Sequence, residues 1–125
     1  MKTARQRLGQ WGEQAAAAYL AGLGYTLLAS NARSRYGELD LVALAPDGSA
    51  TVFVEVKTRR SLAYGLPEAS VTPVKQAHLL AASAAYLQAH PELPGSCRID
   101  VIAILRRPGG QAPEIVHFEN AVGAG

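Results

Sequence analysis

The sequence predicts an α/β chain, a sheet covered by helices on both faces. Its centre is two short apolar runs, Gly37 to Ala43 and Val52 to Lys57, which are apolar on both alternating faces over most of their length, as in a sheet with no solvated side. Between them lies Ala45-Pro46-Asp47-Gly48-Ser49-Ala50, whose Pro-Asp-Gly core is strong turn chemistry, so the runs form an antiparallel hairpin. Two helical periodicities flank the hairpin. The order is helix, strand, hairpin, long loop, helix, strand.

Leu8 to about Leu23 is Ala-rich, with Leu8, Trp11, Ala15, Ala18, Tyr19 and Leu20 at helical spacings and Gly22 and Gly24 as stop signals. Glu13 projects from this first helix between Ala16, Ala17 and Leu20. Two readings stand open for it, a solvated helical carboxylate near the N-terminus or one aimed at something specific. Tyr25 to Ala29 reads as a strand, and Ser30 to Tyr36 as a polar loop leading into the hairpin. Arg33, Arg35 and Tyr36 in that loop suit a phosphate backbone or a stacked base as well as they suit a solvated connector. After Lys57, the stretch through Tyr64, Gly65 and Pro67 has no periodicity and reads as a long loop, with Arg59 and Arg60 at its start.

Pro73 to about Ala89 is the second helix, with Thr72 as N-cap and Pro73 in the first helical position. Lys75, Gln76 and His78 stand in its first turns, where the helix dipole and side chains can meet a phosphate; a plain polar face is the alternative and is preferred for His78. Cys97 to Leu105 is a further strand, in which Asp100 shares a face with Ile102 and Ile104 and therefore needs a partner: Arg98, Arg33 or a site, a structural ion pair being preferred. Ile115 to Phe118 reads as a last edge strand and Ala121 to Gly125 as a frayed tail. One domain over 1–125 is expected, its core at about 8–105.

The hairpin carries the chemistry. If Ala45 faces Ala50, counting outward sets Asp40 opposite Glu55 and Glu38 opposite Lys57, four charges on one face at one end. Alternation places Leu39 and Leu41 together on the other face. Opposed carboxylates with Cβ atoms about 5 Å apart repel, and burial makes each costlier to ionise. A cation must balance them. Lys57 supplies one charge; a divalent ion between Asp40 and Glu55 balances them better, and Mg²⁺ favours one or two carboxylates plus water and phosphate oxygens. The plain alternative is a surface hairpin with cross-strand ion pairs, against which Leu39, Leu41, Val54 and Val56 argue.

Composition narrows the partners. Hydrophobic residues make up 49% of the 125 and charged ones 18%, and Cys97 is the single cysteine, which fits a reducing compartment and excludes an internal disulfide. No apolar run approaches membrane-spanning length, so a soluble cytoplasmic protein is expected. Net charge is only +2, yet nine of the twelve basic residues are Arg, the side chain suited to bidentate phosphate contacts. With Glu13, Glu38, Asp40, Glu55 and Lys57 set aside as one cluster, eleven basic residues face six acidic ones, a lean towards a polyanionic partner. The three His and one Cys lack zinc spacing, and no phosphate-cradling glycine loop or Ser-His motif is present.

Asp40, fourteen intervening residues, then Glu55-Val56-Lys57 resembles the signature of the PD-(D/E)XK nuclease superfamily, although Leu39 stands where its pattern has Pro. Together with Gly12-Glu13, Asn31, Gly37-Glu38-Leu39-Asp40-Leu41, Phe53 to Arg59 and Arg98-Ile99-Asp100-Val101, the chain resembles the small bacterial YraN family, itself similar to archaeal Holliday-junction resolvases. The resemblance spans roughly Gly9 to Leu105. It implies a restriction-endonuclease-like three-layer α/β/α fold with a central mixed sheet. It further implies that Asp40 and Glu55 ligate Mg²⁺ or Mn²⁺, that Lys57 orients or deprotonates the attacking water, and that Glu13 reaches the site from the first helix. Arg33, Arg35, Arg59, Arg60 and Lys75 would grip the backbone; Glu38, Gln76 and Asp100 carry no assigned role. The expected activity is a metal-dependent endonuclease on branched or structured DNA, acting as a homodimer, with a non-catalytic nucleic-acid-binding module as the alternative.

Overall fold

The computed structural model describes residues 1–60 and 71–122. Thr3 and Gln6 start the first helix, α1 (Ala4–Gly22), through a capping box: Gln6 N–H donates to Thr3 Oγ1 at 3.1 Å and Thr3 N–H to Gln6 Oε1 at 2.9 Å. The helix thus begins four residues before Leu8, where apolar periodicity alone set its start. Gly24, at φ 95°, closes it: Tyr25 N–H reaches Leu20 O and Gly24 N–H reaches Ala21 O, the paired bonds of a Schellman stop. Its buried stripe is Gly12, Ala16 and Leu20, small residues that let the helix lie close to the sheet.

Five strands follow the order β1-β2-β3-β4-β5 across one mixed sheet: β1 (Thr26–Ser34), β2 (Gly37–Leu44), β3 (Thr51–Arg59), β4 (Cys97–Leu105) and β5 (Glu114–Val122). Neighbours are antiparallel except β3 and β4, which run parallel. The second helix, α2 (Pro73–Ala89), lies in the connection between them and is capped by Thr72, whose Oγ1 accepts from Lys75 N–H at 3.2 Å. Val52 and Val54 pack with Ala16 and Leu20 of α1, while Phe53 packs with Leu79 and Ala82 of α2. Three layers result, and β3 and β4 are buried on both faces, as their apolar sequences require.

Three expectations change. Ser30 to Ser34 is strand rather than loop, and only Arg35-Tyr36 turns the chain, with Gly37 at φ 122° just after it. β1 is an edge strand with most of its residues exposed, so its polar composition imitates a loop. Leu39 and Leu41 lie on opposite faces: Leu39 joins Val42 and Phe53 on the α2 side, Leu41 joins Ala43 on the α1 side. The alternation breaks once, at Asp40, beside Asn31, which holds a positive φ of 52°. Ala121 and Val122 are not frayed, since β5 runs through them and Val122 is buried against Ile99. The long-loop expectation at Tyr64, Gly65 and Pro67, and the tail at Gly123 to Gly125, lie outside the described residues. No helix among the described residues is long and apolar enough to cross a membrane.

Gly12 is the closest approach of helix to sheet. A Cβ there would stand 1.9 Å from Thr58 Oγ1 and 3.0 Å from Thr58 Cβ. Gly12→Ala, which in an open helix stabilises by about 1 kcal/mol, is therefore expected to destabilise by about 2 kcal/mol through overpacking. Urea denaturation checks this, and Thr58→Ala in the same chain should recover part of the loss.

Candidate functional site

Asp40 stands where the β2–β3 ladder stops. The pairing Leu44↔Thr51, Ala43↔Val52, Val42↔Phe53, Leu41↔Val54 is the register read from the turn, and Ala45 N–H meets Ala50 O at 2.9 Å. One step further, where Asp40 would face Glu55, the backbone pairing ends. Asp40 Oδ2 instead accepts the Val56 N–H at 2.8 Å, so a side chain replaces the missing ladder bond. The strands part at the acidic end, and the expected Asp40–Glu55 and Glu38–Lys57 backbone pairs do not form.

The parting divides the charges between two groups. Glu13, Glu38 and Asp40 each offer a carboxylate oxygen, all within 4.8 Å of one another. Carboxylate oxygens gathered this closely are the donor type that a hard divalent ion takes. Asn31 ties the group together: its amide nitrogen, turned inward, donates to Glu13 Oε1 at 3.0 Å and to Glu38 Oε1 at 3.2 Å. The second group is Glu55 with Lys57 and Lys75, whose ammonium nitrogens stand 3.3 Å and 3.6 Å from Glu55 Oε1.

Glu55 is 4% exposed, and its other oxygen, Oε2, has no hydrogen-bond partner among the described residues. A buried carboxylate oxygen left unsatisfied costs about 1–3 kcal/mol. A cation, or water bound to one, is the natural partner, so the donor set fits a hard divalent ion.

Electrostatics join the two groups. Burial, then the Glu55 charge, pushes the Asp40 carboxyl up to about 7, against the pull of the Val56 N–H. Burial also raises Glu13, and although a hydrogen bond with Asp40 opposes this, the Glu38 and Glu55 charges add to it. Carboxyls this reluctant to ionise hold too little positive charge nearby.

The raised Asp40 value makes a stability prediction for protein in EDTA. A carboxyl whose folded pKa exceeds its unfolded one contributes stability that is complete below about pH 4 and is lost as pH rises through about 7. The metal-free protein should therefore lose on the order of 4 kcal/mol from this group between pH 4 and 8. Asp40→Asn keeps an oxygen for Val56 N–H and removes the titration, so it should be the more stable chain at pH 8. Urea midpoints of both proteins at pH 5 and 8 decide it; parallel pH dependences would contradict the assignment.

The remaining candidates separate. Arg33 pairs with Glu38 at 3.2 Å and is mostly exposed. Arg35 lies over the Tyr36 ring at 4.8 Å and donates to its hydroxyl at 2.6 Å. Arg59 donates to Thr58 O at 3.2 Å, and Arg60 is exposed. Lys75, expected to meet a phosphate from the first turns of α2, stands 3.6 Å from Glu55 Oε1 and is partly exposed. Gln76 Nε2 donates to Val71 O at 3.0 Å, which ties the start of α2 to its own lead-in. Asp100 is fully buried and accepts from Arg98 Nε at 3.0 Å, Asn120 N–H at 2.9 Å and His117 Nε2 at 2.7 Å, so its partner is Arg98 and not Arg33. Asn31 and Lys75 are named in the sequence, but their contacts with the carboxylates are not legible there: Asn31 reaches Glu13 from a left-handed backbone, and Lys75 reaches Glu55 from a helix start that only the folded crossover brings over β3.

A family described as "Uncharacterised protein family UPF0102" matches residues 12–104, a span that includes Glu13, Glu38, Asp40, Glu55, Lys57 and Lys75. A UPF0102 protein of Dehalococcoides mccartyi is 43% identical over 120 residues, 95% of each chain. One of Syntrophus aciditrophicus is 45% identical over 123 residues, 97% of this chain and 95% of that one. A solved structure, a protein of unknown function from Silicibacter pomeroyi, aligns over 90% of this chain and 73% of its own with 17% identity and a TM-score of 0.41, too slight a likeness to carry an argument.

Proposed function

This chain belongs to the UPF0102 family, and we propose that it is a divalent-metal-dependent endonuclease that hydrolyses phosphodiester bonds of branched or structured DNA as a homodimer. The observation that carries the proposal is the buried Glu55 Oε2, without a hydrogen-bond partner among the described residues, beside Lys57 and across the strand gap from a cluster of three carboxylates. The preference for branched DNA rests on the resemblance to junction resolvases, and the dimer on the need for a second site to cut a second strand.

Asp40 and Glu55 would hold Mg²⁺ or Mn²⁺, with Glu13 and Glu38 within reach. When bound, such an ion supplies Lewis acidity towards the scissile phosphate and lowers the pKa of water. Asn31 holds the Glu13 and Glu38 carboxylates in place, which limits the side-chain ordering needed on binding. Lys57, anchored by Glu55, orients the attacking water and offsets charge that develops on the phosphate. Arg33, Arg35, Arg59 and Arg60 flank the acidic end and can neutralise neighbouring phosphates.

Purified protein incubated with four-way junctions, flaps, single strands and duplexes should cut at least one of them in Mn²⁺ or Mg²⁺ and none in EDTA. Absence of metal-dependent cleavage on all four defeats the proposal. Binding that weakens with salt by about 0.9 log units per phosphate and per tenfold salt, without cleavage, would leave a nucleic-acid-binding module.

A further inference from the structure

Trp11, Arg106 and Arg107 have no part in this chemistry, and they meet beside Arg60. Arg106-Arg107-Pro108-Gly109-Gly110 leaves β4, and Arg106 N–H donates to Arg59 O at 2.8 Å, which extends the parallel β3–β4 pairing beyond Arg59↔Leu105. Arg60, Arg106 and Arg107 therefore emerge together at the end of the sheet that carries Lys57. Between them and α1 lies a cleft of about 410 Å³ lined by Trp11, Arg106, Arg107, Pro108 and both glycines. A second depression, lined by Arg60, Arg106, Arg107 and Pro108, adjoins it.

Among the described residues, no carboxylate lines either depression. Trp11 leans one side on the α1 core, and the Arg106 guanidinium carbon stands 5.1 Å from its ring centroid. Glu114 meets Arg107 at 3.1 Å with both side chains about half exposed, a pair that a phosphate can displace. Gly109 and Gly110 hold φ of 69° and 73°, and open space surrounds both, so these glycines serve the turn and leave the mouth clear.

An indole, a guanidinium plane and flanking arginines make a stacking platform with phosphate contacts, the arrangement that takes an unpaired base. The cleft opens on the α1 side at the C-terminal ends of β3 and β4, with Arg106 three positions, about 10 Å, beyond the Lys57↔Ala103 pair, so a single strand that crosses this end of the sheet passes both the cleft and Lys57 within a few nucleotides. Resting on the nuclease reading above, we propose that this cleft takes the base of an unpaired nucleotide next to the scissile bond, with Arg60 and Arg107 on its phosphates. The substrate then carries single-stranded DNA beside the cut.

Trp11 is the chain's single tryptophan, so its emission reports on the cleft directly. In EDTA and low salt, a dye-labelled twelve-nucleotide oligo-dT should quench Trp11 emission over the same range in which its anisotropy rises, whereas a blunt duplex should bind without quenching. Arg107→Ala and Arg60→Ala should each weaken oligo-dT binding roughly tenfold and lower the salt slope by about 0.7. Unchanged Trp11 emission at saturating oligo-dT, or both variants binding it like wild type, overturns the proposal. Metal-dependent cleavage of a fully paired junction alongside unchanged emission would remove this inference and leave the nuclease reading; no binding and no cleavage would remove both.

Discussion

Changing Lys57 to Ala is expected to lower metal-dependent cleavage by about a thousandfold while Mn²⁺ still binds. The ammonium stands 3.3 Å from Glu55 Oε1 on a strand whose first five residues, 51–55, are buried, so its position is set by the sheet rather than by solvent. In the ground state Lys75, at 3.6 Å from the same oxygen, keeps Glu55 partly compensated when Lys57 is gone. The carboxylates that would hold the ion remain, and calorimetric titration of Mn²⁺ should give a dissociation constant within a few-fold of wild type. What disappears is the cation that, on the proposed reading, offsets charge developing during hydrolysis. Preorganised charges of this kind act in the transition state more than in binding. Glu55→Gln should behave oppositely, weakening Mn²⁺ binding first and cleavage with it. Equal cleavage by Lys57→Ala and wild type would remove Lys57 from the chemistry, and equal loss of Mn²⁺ affinity in both variants would make its role structural.

The hairpin register was legible because a four-residue turn fixes which residues face each other, and the buried strands obey alternation wherever both faces are covered. Legibility ended at Asp40. A side chain that takes over a backbone hydrogen bond breaks period-2 counting, and only tertiary geometry can supply that. The same limit explains Asn31 and the edge strand around it, since an exposed strand closed by Arg35-Tyr36 has the composition of a loop. Helix α2 was readable from Thr72-Pro73, yet the destination of Lys75 depends on where the crossover sets that helix above β3. The Trp11 cleft stayed hidden because its parts are about a hundred residues apart in the chain.

Replacing Asp100 with Ala is expected to destabilise the protein by about 3–5 kcal/mol, the cost of a buried charge stripped of its partner. That is a third or more of the stability of an ordinary domain and corresponds to a fall in Tm of roughly 10–20 °C. Asp100 and Asp40 occupy comparable positions: each sits where a ladder is interrupted near an asparagine at φ 52°, and each accepts a backbone N–H from the adjoining strand, Asn120 for one and Val56 for the other. Their surroundings differ. Asp100 also receives Arg98 and His117, and His117 Nδ1 in turn meets Tyr19 Oη at 3.2 Å, so the network pins β5 and the end of α1 to β4. Around Asp40 the dominant neighbouring charge is another carboxylate, and Lys75 is the weakest influence upon it. The neighbours of Asp100 compensate its charge, and those of Asp40 do not. Asp100→Ala should accordingly lower the urea midpoint steeply while the folded fraction keeps its Mn²⁺ affinity, with Asp100→Asn, which preserves shape and part of the hydrogen bonding, falling between. Lost Mn²⁺ binding with the midpoint unchanged would instead place Asp100 in the metal site and undo the distinction.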